Sequence, residues 1–327
     1  MQQNTVRVND GPTGLARFIQ KRLAISGLFI ALVALIIIAS FISDAFLSSY
    51  NMVNVLRQVA LYGIVSIGLT FVILTAGIDL SVGSIVAVVA VVTAMALNAG
   101  LPVIAVIPLG MVTGAVFGVI NGVGVTLFKI PPFIMTLGAM VILRGIALTL
   151  SDGRPIDVQS GVADFSWIGR GSFAGLPVAV WILLVVAVTS FILLRYTSFG
   201  RNVYAVGSNA EAARLSGINV NRVKLGVYTI SGLLAGLTAL IFVSRLTVGE
   251  PTAGTGLELE AIAIAVIGGA SLFGGVGGVI GTMMGAFILA ILANLMNLTG
   301  ISPFTQQIVK GAIIIIAVSF EVLRRRR

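Results

Sequence analysis

The sequence predicts an all-α protein, a polytopic bundle of transmembrane helices with about ten spans. Three observations carry this expectation. Hydrophobic residues make up 58% of the chain and charged residues 9%, against about 25% charged in soluble domains. The mean hydropathy is +1.12. The apolar residues also gather into runs close to the ~20 residues that a span needs, parted by short polar breaks.

The elements follow in order along the 327 residues. Residues 1–22 form a polar tail with Arg7, Arg17, Lys21 and Arg22, and the membrane domain occupies 23–323. Leu23–Ile42 is the first apolar run. It is longer than a signal-peptide core and lacks a small-residue cleavage site, so a retained first helix is expected. Spans are then expected near Val53–Ala76, Val82–Leu97 and Val103–Phe128. Between the first two lies TAGIDLSVGS, where Asp79 or Ser81 suits the start of the next helix. Asp79 is equally a candidate for the transport path. The Val103–Phe128 run carries Gly110, Gly114, Gly118 and Gly122. Every fourth position falls on one helix face, so close packing against another helix backbone is expected there.

Lys129, Pro131 and Pro132 end that helix, and Pro132–Leu150 is the fifth span. Residues 151–175 read as a polar, glycine-bearing loop, which the distribution of basic residues places outside. Leu176–Leu194 is the sixth span. After a second polar stretch come Leu225–Leu246, Leu259–Gly269, Gly277–Met296 and Pro303–Val322. The run at Leu259–Gly269 is short and ends in glycine, so a broken or tilted helix is expected. Residues 324–327 are four arginines.

The polar stretch 195–224 stands apart. It holds Arg195, Arg201, Arg214, Arg222 and Lys224 against the single acid Glu211. Asn209 is a good N-cap, Glu211 falls in the first turn, and Gly217 suits a left-handed helix end. A helix of about two turns over Ala210–Ser216 follows, held outside the bilayer. It is either an ordinary solvated loop or a docking helix for a soluble partner. With both termini cytoplasmic, 14 basic residues fall inside: Arg7, Arg17, Lys21, Arg22, Lys129, the five of 195–224 and the four at the end. Arg57, Arg144, Arg154, Arg170, Arg245 and Lys310 fall outside or within spans. This bias fits the positive-inside rule and puts 195–224 in the cytoplasm.

Composition removes several classes of function. The chain has no Cys and no His, and its 11 acids are dispersed. Disulfides, thiolate chemistry, a histidine base and a metal cluster are therefore not expected, and nor is an enzyme. The net charge of +9 sits at span ends, which points to anionic membrane lipid rather than nucleic acid. The run Gly268–Gly285 fails as a dinucleotide motif, because position 280 is Ile where GxGxxG needs Gly. It does contain the GxxxG pairs Gly274/Gly278, Gly277/Gly281 and Gly281/Gly285, which suit helix packing.

Charged residues within spans are costly and mark candidate sites. Arg144 and Lys310 sit where they can snorkel outward. Glu258 and Glu260 suit a helix start, and Glu321 suits pairing with the terminal arginines. Candidates for a translocation path are Asp79, Asn121, Phe133, Asn294 and Asn297. Interhelical hydrogen bonding is the competing role for the asparagines.

Four blocks carry a family resemblance: ILTAGIDLSVGSIVA (Ile73–Ala87), IPPFIMTLGAMVILRGIALTLSDGRPI (Ile130–Ile156), FGRNVYAVGSNAEAARLSGINV (Phe199–Val220) and ELEAIAIAVIGGASLFGGVGGVIGT (Glu258–Thr282). They resemble the ribose-type permease subunits of bacterial ABC sugar importers, from about residue 23 to the end. The resemblance implies a multi-pass protein of the bacterial inner membrane, with the 151–175 loop periplasmic, working by alternating access to import a monosaccharide. It implies a second permease copy, cytoplasmic ABC ATPase subunits and a periplasmic sugar-binding protein as partners, and no cofactor in this chain. Glu211, Ala212, Ala213 and Gly217 match the EAA-x-x-x-G element that meets the ATPase. With Asn209 and Arg214 they form the implied coupling segment. The I-x-L-P tail of the general pattern is absent, since 227–230 reads Val, Tyr, Thr, Ile. A stand-alone ion-coupled carrier is the main rival, and a channel or membrane scaffold stands behind it.

Overall fold

The computed structural model describes residues 14–325. The side chains of Arg7, Arg17, Lys21, Arg22, Glu321 and the terminal arginines, and with them the expected pairing of Glu321, lie outside what is described.

The described chain is helical almost throughout. In order the helices are α1 (Gly14–Ile42), α2 (Ser49–Leu74), α3 (Val82–Asn98), α4 (Val103–Thr126), α5 (Pro132–Leu150), α6 (Val162–Arg170) and α7 (Val178–Tyr196). Then come α8 (Ser198–Ser208), α9 (Ala210–Leu215), α10 (Val220–Leu246), α11 (Leu257–Ile267), α12 (Val279–Leu298) and α13 (Pro303–Arg325). Four two-residue strands make two small antiparallel pairs. β1 (Ile156–Asp157) pairs with β4 (Val248–Gly249), and β2 (Ser172–Phe173) pairs with β3 (Leu176–Pro177).

By length and apolarity α2, α4, α5, α7, α10 and α12 can each cross a membrane. Ser26–Ile42 of α1, all of α3, and Pro303–Ile316 of α13 are shorter apolar helices. α11 has 11 residues and stops at Gly268, with Gly269 at φ +85°. The short eighth run is thus half a helix, followed by a glycine turn.

The bundle is built around α2 and α10. The apolar window of α2 is 72% buried and that of α10 67%, against 22% for α4 and 17% for α5. The two central helices contribute to both apolar clusters of the core, one toward α7 and α12, the other toward α3 and α5. The buried residues of α4 include its glycine stripe, Gly110, Gly114, Gly118 and Gly122. That stripe lies on α10. A Cβ on Gly114 would come within 2.9 Å of Gly236 Cα, and one on Gly118 within 3.0 Å of Thr229 Cα. Gly232 and Gly236 of α10 return the contact, so glycines on both sides let the backbones touch.

Two helices were missed by apolarity. α6 lies within the stretch read as a loop. Its first turn holds Asp164 and its last Arg170, which suits the helix dipole. It turns the fully buried Phe165 inward. Ser244 Oγ of α10 accepts from Gly169 N at 2.7 Å and donates to Phe165 O. α8 precedes the expected docking helix, and its N-cap Thr197 accepts from Gly200 N at 3.2 Å. Both are short and amphipathic, so composition alone does not separate them from loop.

Candidate functional site

The 195–224 stretch folds as two short helices, α8 and α9, and the second carries the expected caps. Asn209 Oδ1 accepts from Glu211 N and Ala212 N, each at 3.0 Å. At the other end Gly217, at φ +84°, donates to Arg214 O, and Ile218 N donates to Ala213 O, both at 3.0 Å. This pair of bonds is a Schellman motif, which satisfies the last carbonyls and stops the helix. α9 ends at Leu215, with Ser216 as its cap, one residue before the expected end.

Ala213 alone in α9 is buried. Glu211, Ala212, Arg214 and Gly217 are exposed, and Leu215 is 76% exposed. The Arg214 guanidinium donates to Glu211 at 2.5 and 3.1 Å and holds its carboxyl below the ordinary range. The pair is about two-thirds exposed, so solvent screens it and it adds little to stability. What α9 presents is a short, doubly capped, exposed surface.

α8, which leads into that surface, is tied to the bundle. Gly207 of α8 faces the end of α2 so closely that a Cβ there would strike Leu74 O. Gly275 N donates to Leu74 O at 3.0 Å, and Tyr204 OH donates to Gly277 O at 3.0 Å. Gly274 and Gly275 take φ +84° and +74°. The glycine run 268–285 therefore serves as a turn and packing surface. It joins α8, the end of α2 and the approach to α12.

Three residues beyond Ala76, the break between α2 and α3 holds a buried polar node. Asp79 is fully buried. Its Oδ1 accepts from Ser81 N at 3.0 Å and Ser81 Oγ at 2.6 Å, and its Oδ2 accepts from Ser231 Oγ of α10 at 2.9 Å. Asn121 of α4 donates to Ser81 Oγ at 2.7 Å. Ile78 O accepts from Thr136 of α5 at 3.1 Å and Tyr228 of α10 at 3.3 Å. Ser81 is the residue before α3 but makes no side-chain cap, so Asp79 braces the break rather than capping the helix. Buried polar groups need such partners, because an unpaired one costs about 1–3 kcal/mol.

Of the five path candidates, the structure brings Asp79 and Asn121 together through Ser81. Phe133 is 52% exposed at the start of α5, away from the node's bonds. Asn294 is buried in a reciprocal pair with Asn51 of α2, at 2.9 and 2.7 Å. Asn297, exposed, accepts from Gln306 of α13 at 2.8 Å. Asn51 was not singled out in the sequence, since its partner lies 243 residues away. Asn51→Ala is expected to destabilise the protein by about 1 kcal/mol, the scale of interhelical hydrogen bonds in membranes. Thermal unfolding in detergent measures it. Asn51→Leu with Asn294→Leu should recover part of the loss, because neither side-chain amide is then left facing a missing partner and only Phe46 O loses a donor.

The charges within helices also find partners. Lys310 of α13 pairs with Glu260 of α11, so it is tied inward and does not snorkel. Arg144 of α5 donates to Pro251 O at 2.8 Å and Ala253 O at 2.9 Å, which likewise holds it to the protein. A charge held beside membrane-length helices is stabilised by such partners in place of water.

Helices of spanning length wrapped around a buried polar break define a multi-pass membrane protein. The chain belongs to the family described as branched-chain amino acid transport system / permease component, which matches residues 51–318. It is 46% identical over 294 residues to the ribose import permease protein RbsC of Haemophilus influenzae, covering 89% of this chain and 90% of that one. It is 45% identical to the Bacillus subtilis ribose import permease, covering 91% and 95%. It is 36% identical to the xylose transport system permease protein XylH of Escherichia coli, covering 91% of each. These relatives are transport subunits rather than enzymes. No solved structure matches the chain.

Proposed function

We propose that this chain is the membrane subunit of an ATP-driven importer that moves a monosaccharide of the ribose or xylose kind across the bacterial inner membrane. α1, α2, α3, α4, α5, α7, α10, α12 and α13 cross the bilayer, the half-helix α11 with the segments on either side of it makes the remaining pass, and both termini are cytoplasmic. α8 and α9 then face the cytoplasm, and α6 with the two small sheets faces outward. Two copies work together, each presenting α9 to an ATPase subunit, while a periplasmic binding protein delivers the sugar.

The observation that carries the reading is the match to sugar import permeases over about nine-tenths of both chains. The mounting of α9 supports the mechanism. ATPase closure pushes a short rigid helix as a body. Its movement passes through Gly207 and Tyr204 to the α2 end and the 274–277 turn, and so to the break that holds Asp79.

Reconstitution in liposomes with the ATPase and binding protein tests this. Hydrolysis should rise when one sugar-loaded binding protein is added and stay low with the unloaded protein. Solute movement by the chain alone, driven by a proton or sodium gradient without ATP, would sink the proposal in favour of an ion-coupled carrier.

A further inference from the structure

We propose that Trp181 and Phe173 anchor the protein in the headgroup region of the outer leaflet, and that the exposed face of α7 below them is lined by phospholipid. The choice of leaflet rests on the topology proposed above; the lipid contact does not. Residues 171–194 contain no charged side chain and are bracketed by Arg170 and Arg195. They hold the β2–β3 hairpin and most of α7, a helix long and apolar enough to cross a membrane. The exposed large apolar side chains of α7 are Trp181, Leu184, Val185, Val188, Ile192 and Tyr196, from 37% exposed at Trp181 to 69% at Tyr196. At the helical period they fall on one face.

The hairpin end of this face holds its rings in place. Trp181 Nε1 donates to Phe173 O at 3.0 Å. The Phe173 and Trp181 rings meet edge to face, with centroids 6.1 Å apart. The indole N–H is thus satisfied within the protein, which removes the cost of turning it toward lipid. Phe173 itself is 63% exposed. Trp167, the other tryptophan of the chain, lies alongside and is also exposed. A Cβ on Gly171 would come within 2.6 Å of its Cδ1, so its ring rests on the residue that leads into the hairpin. Arg170, next to that glycine, ties its guanidinium to the end of α10, where Nε donates to Arg245 O at 2.6 Å.

The chemistry of the face selects its partner. It begins at a tryptophan, runs through Leu, Val and Ile, and ends at a tyrosine about 22 Å further along the helix. Trp and Tyr gather at the two borders of a bilayer, because a ring with an apolar body and one polar edge is best placed between hydrocarbon and water. A protein partner calls instead for a rim of polar and charged side chains around an apolar centre. Here the apolar stripe continues into an uncharged hairpin, so phospholipid is the matching surface.

With only two tryptophans, the chain reports the contact by its own fluorescence. The full chain is placed in phosphatidylcholine bilayers brominated either just below the headgroup or near the bilayer centre, alone and in the reconstituted assembly. Trp167→Phe leaves Trp181 as the sole emitter. Shallow bromines should remove most of its emission and deep bromines less, with and without the partners. Emission untouched by either lipid would overturn the anchor. So would quenching that disappears on assembly, since a second copy or another protein then covers the stripe. A second measurement keeps both tryptophans. The chain has no Cys, so Val188→Cys carries a single nitroxide, which oxygen should relax more than a water-soluble nickel chelate. The reverse order would overturn the lipid contact. The leaflet is read separately at Ala174, exposed at the hairpin tip. Ala174→Cys should react with a membrane-impermeant maleimide in intact spheroplasts. Reaction only after the membrane is opened would overturn the outer placement and the topology with it, while the quenching still decides the lipid contact.

Discussion

Gly217→Pro is expected to cut sugar import by the reconstituted assembly by more than about tenfold, while the permease itself stays folded. The native φ of +84° is closed to proline, whose ring fixes φ near −65°. The substitution also removes the N–H that bonds Arg214 O. It pushes Ser216, now at φ −82° and ψ 10°, out of the helical region. The last turn of α9 therefore unwinds, and Ala212 and Leu215 lose their place on the exposed surface. Because α9 is outside the apolar core, apart from Ala213, the bundle should keep its thermal stability. Gly217→Asn is the control, since asparagine enters the left-handed region at small cost and should retain most import. Import by the proline variant at the wild-type rate would mean that α9 transmits nothing.

Gly118→Ala is expected to destabilise the bundle by about 1–3 kcal/mol, the cost of overpacking a filled interface. Its new methyl would press on Tyr228 O and on Thr229 Cα, and both are backbone atoms that cannot swing aside. Gly118→Leu should prevent α4 from seating on α10 at all. Gly138→Ala supplies the contrast. It is also a helical glycine, yet a Cβ there meets nothing within 4 Å. It should be neutral or gain about 0.5–1 kcal/mol from reduced backbone freedom. Thermal unfolding of the three variants in one detergent separates the outcomes. Equal shifts for Gly118→Ala and Gly138→Ala would show that the glycine stripe is not a packing surface.

The contrast shows where the sequence is enough and where it is not. Gly118 and Gly138 look alike as residues in apolar helices. Only the repeat of Gly110, Gly114, Gly118 and Gly122 marks the first as part of a face. Periodicity is a local property and survives in the sequence. The partner of that face, Gly232 and Gly236 of α10, is chosen by the fold.

The helical, membrane-spanning character was legible because burying backbone polar groups in lipid demands long apolar helices, and composition reports them directly. The caps of α9 were legible because Asn209 and Gly217 act on backbone atoms within a few residues of themselves. α6 and α8 were not, since short amphipathic helices take their stability from the surfaces they cover. Phe165 marks α6 only once Ser244 lies beneath it.

The buried polar pairings show the same division. The sequence by itself determined that Asp79 interrupts an apolar run and that Asn294, Lys310 and Arg144 each need relief from lipid. Only the tertiary structure decided that the relief comes from Ser231, Asn51, Glu260 and the carbonyls of 251 and 253. A polar group announces its need for a hydrogen bond wherever it stands in the chain. Its partner can lie at any separation, and 243 residues in one case, because packing rather than sequence distance brings the two together.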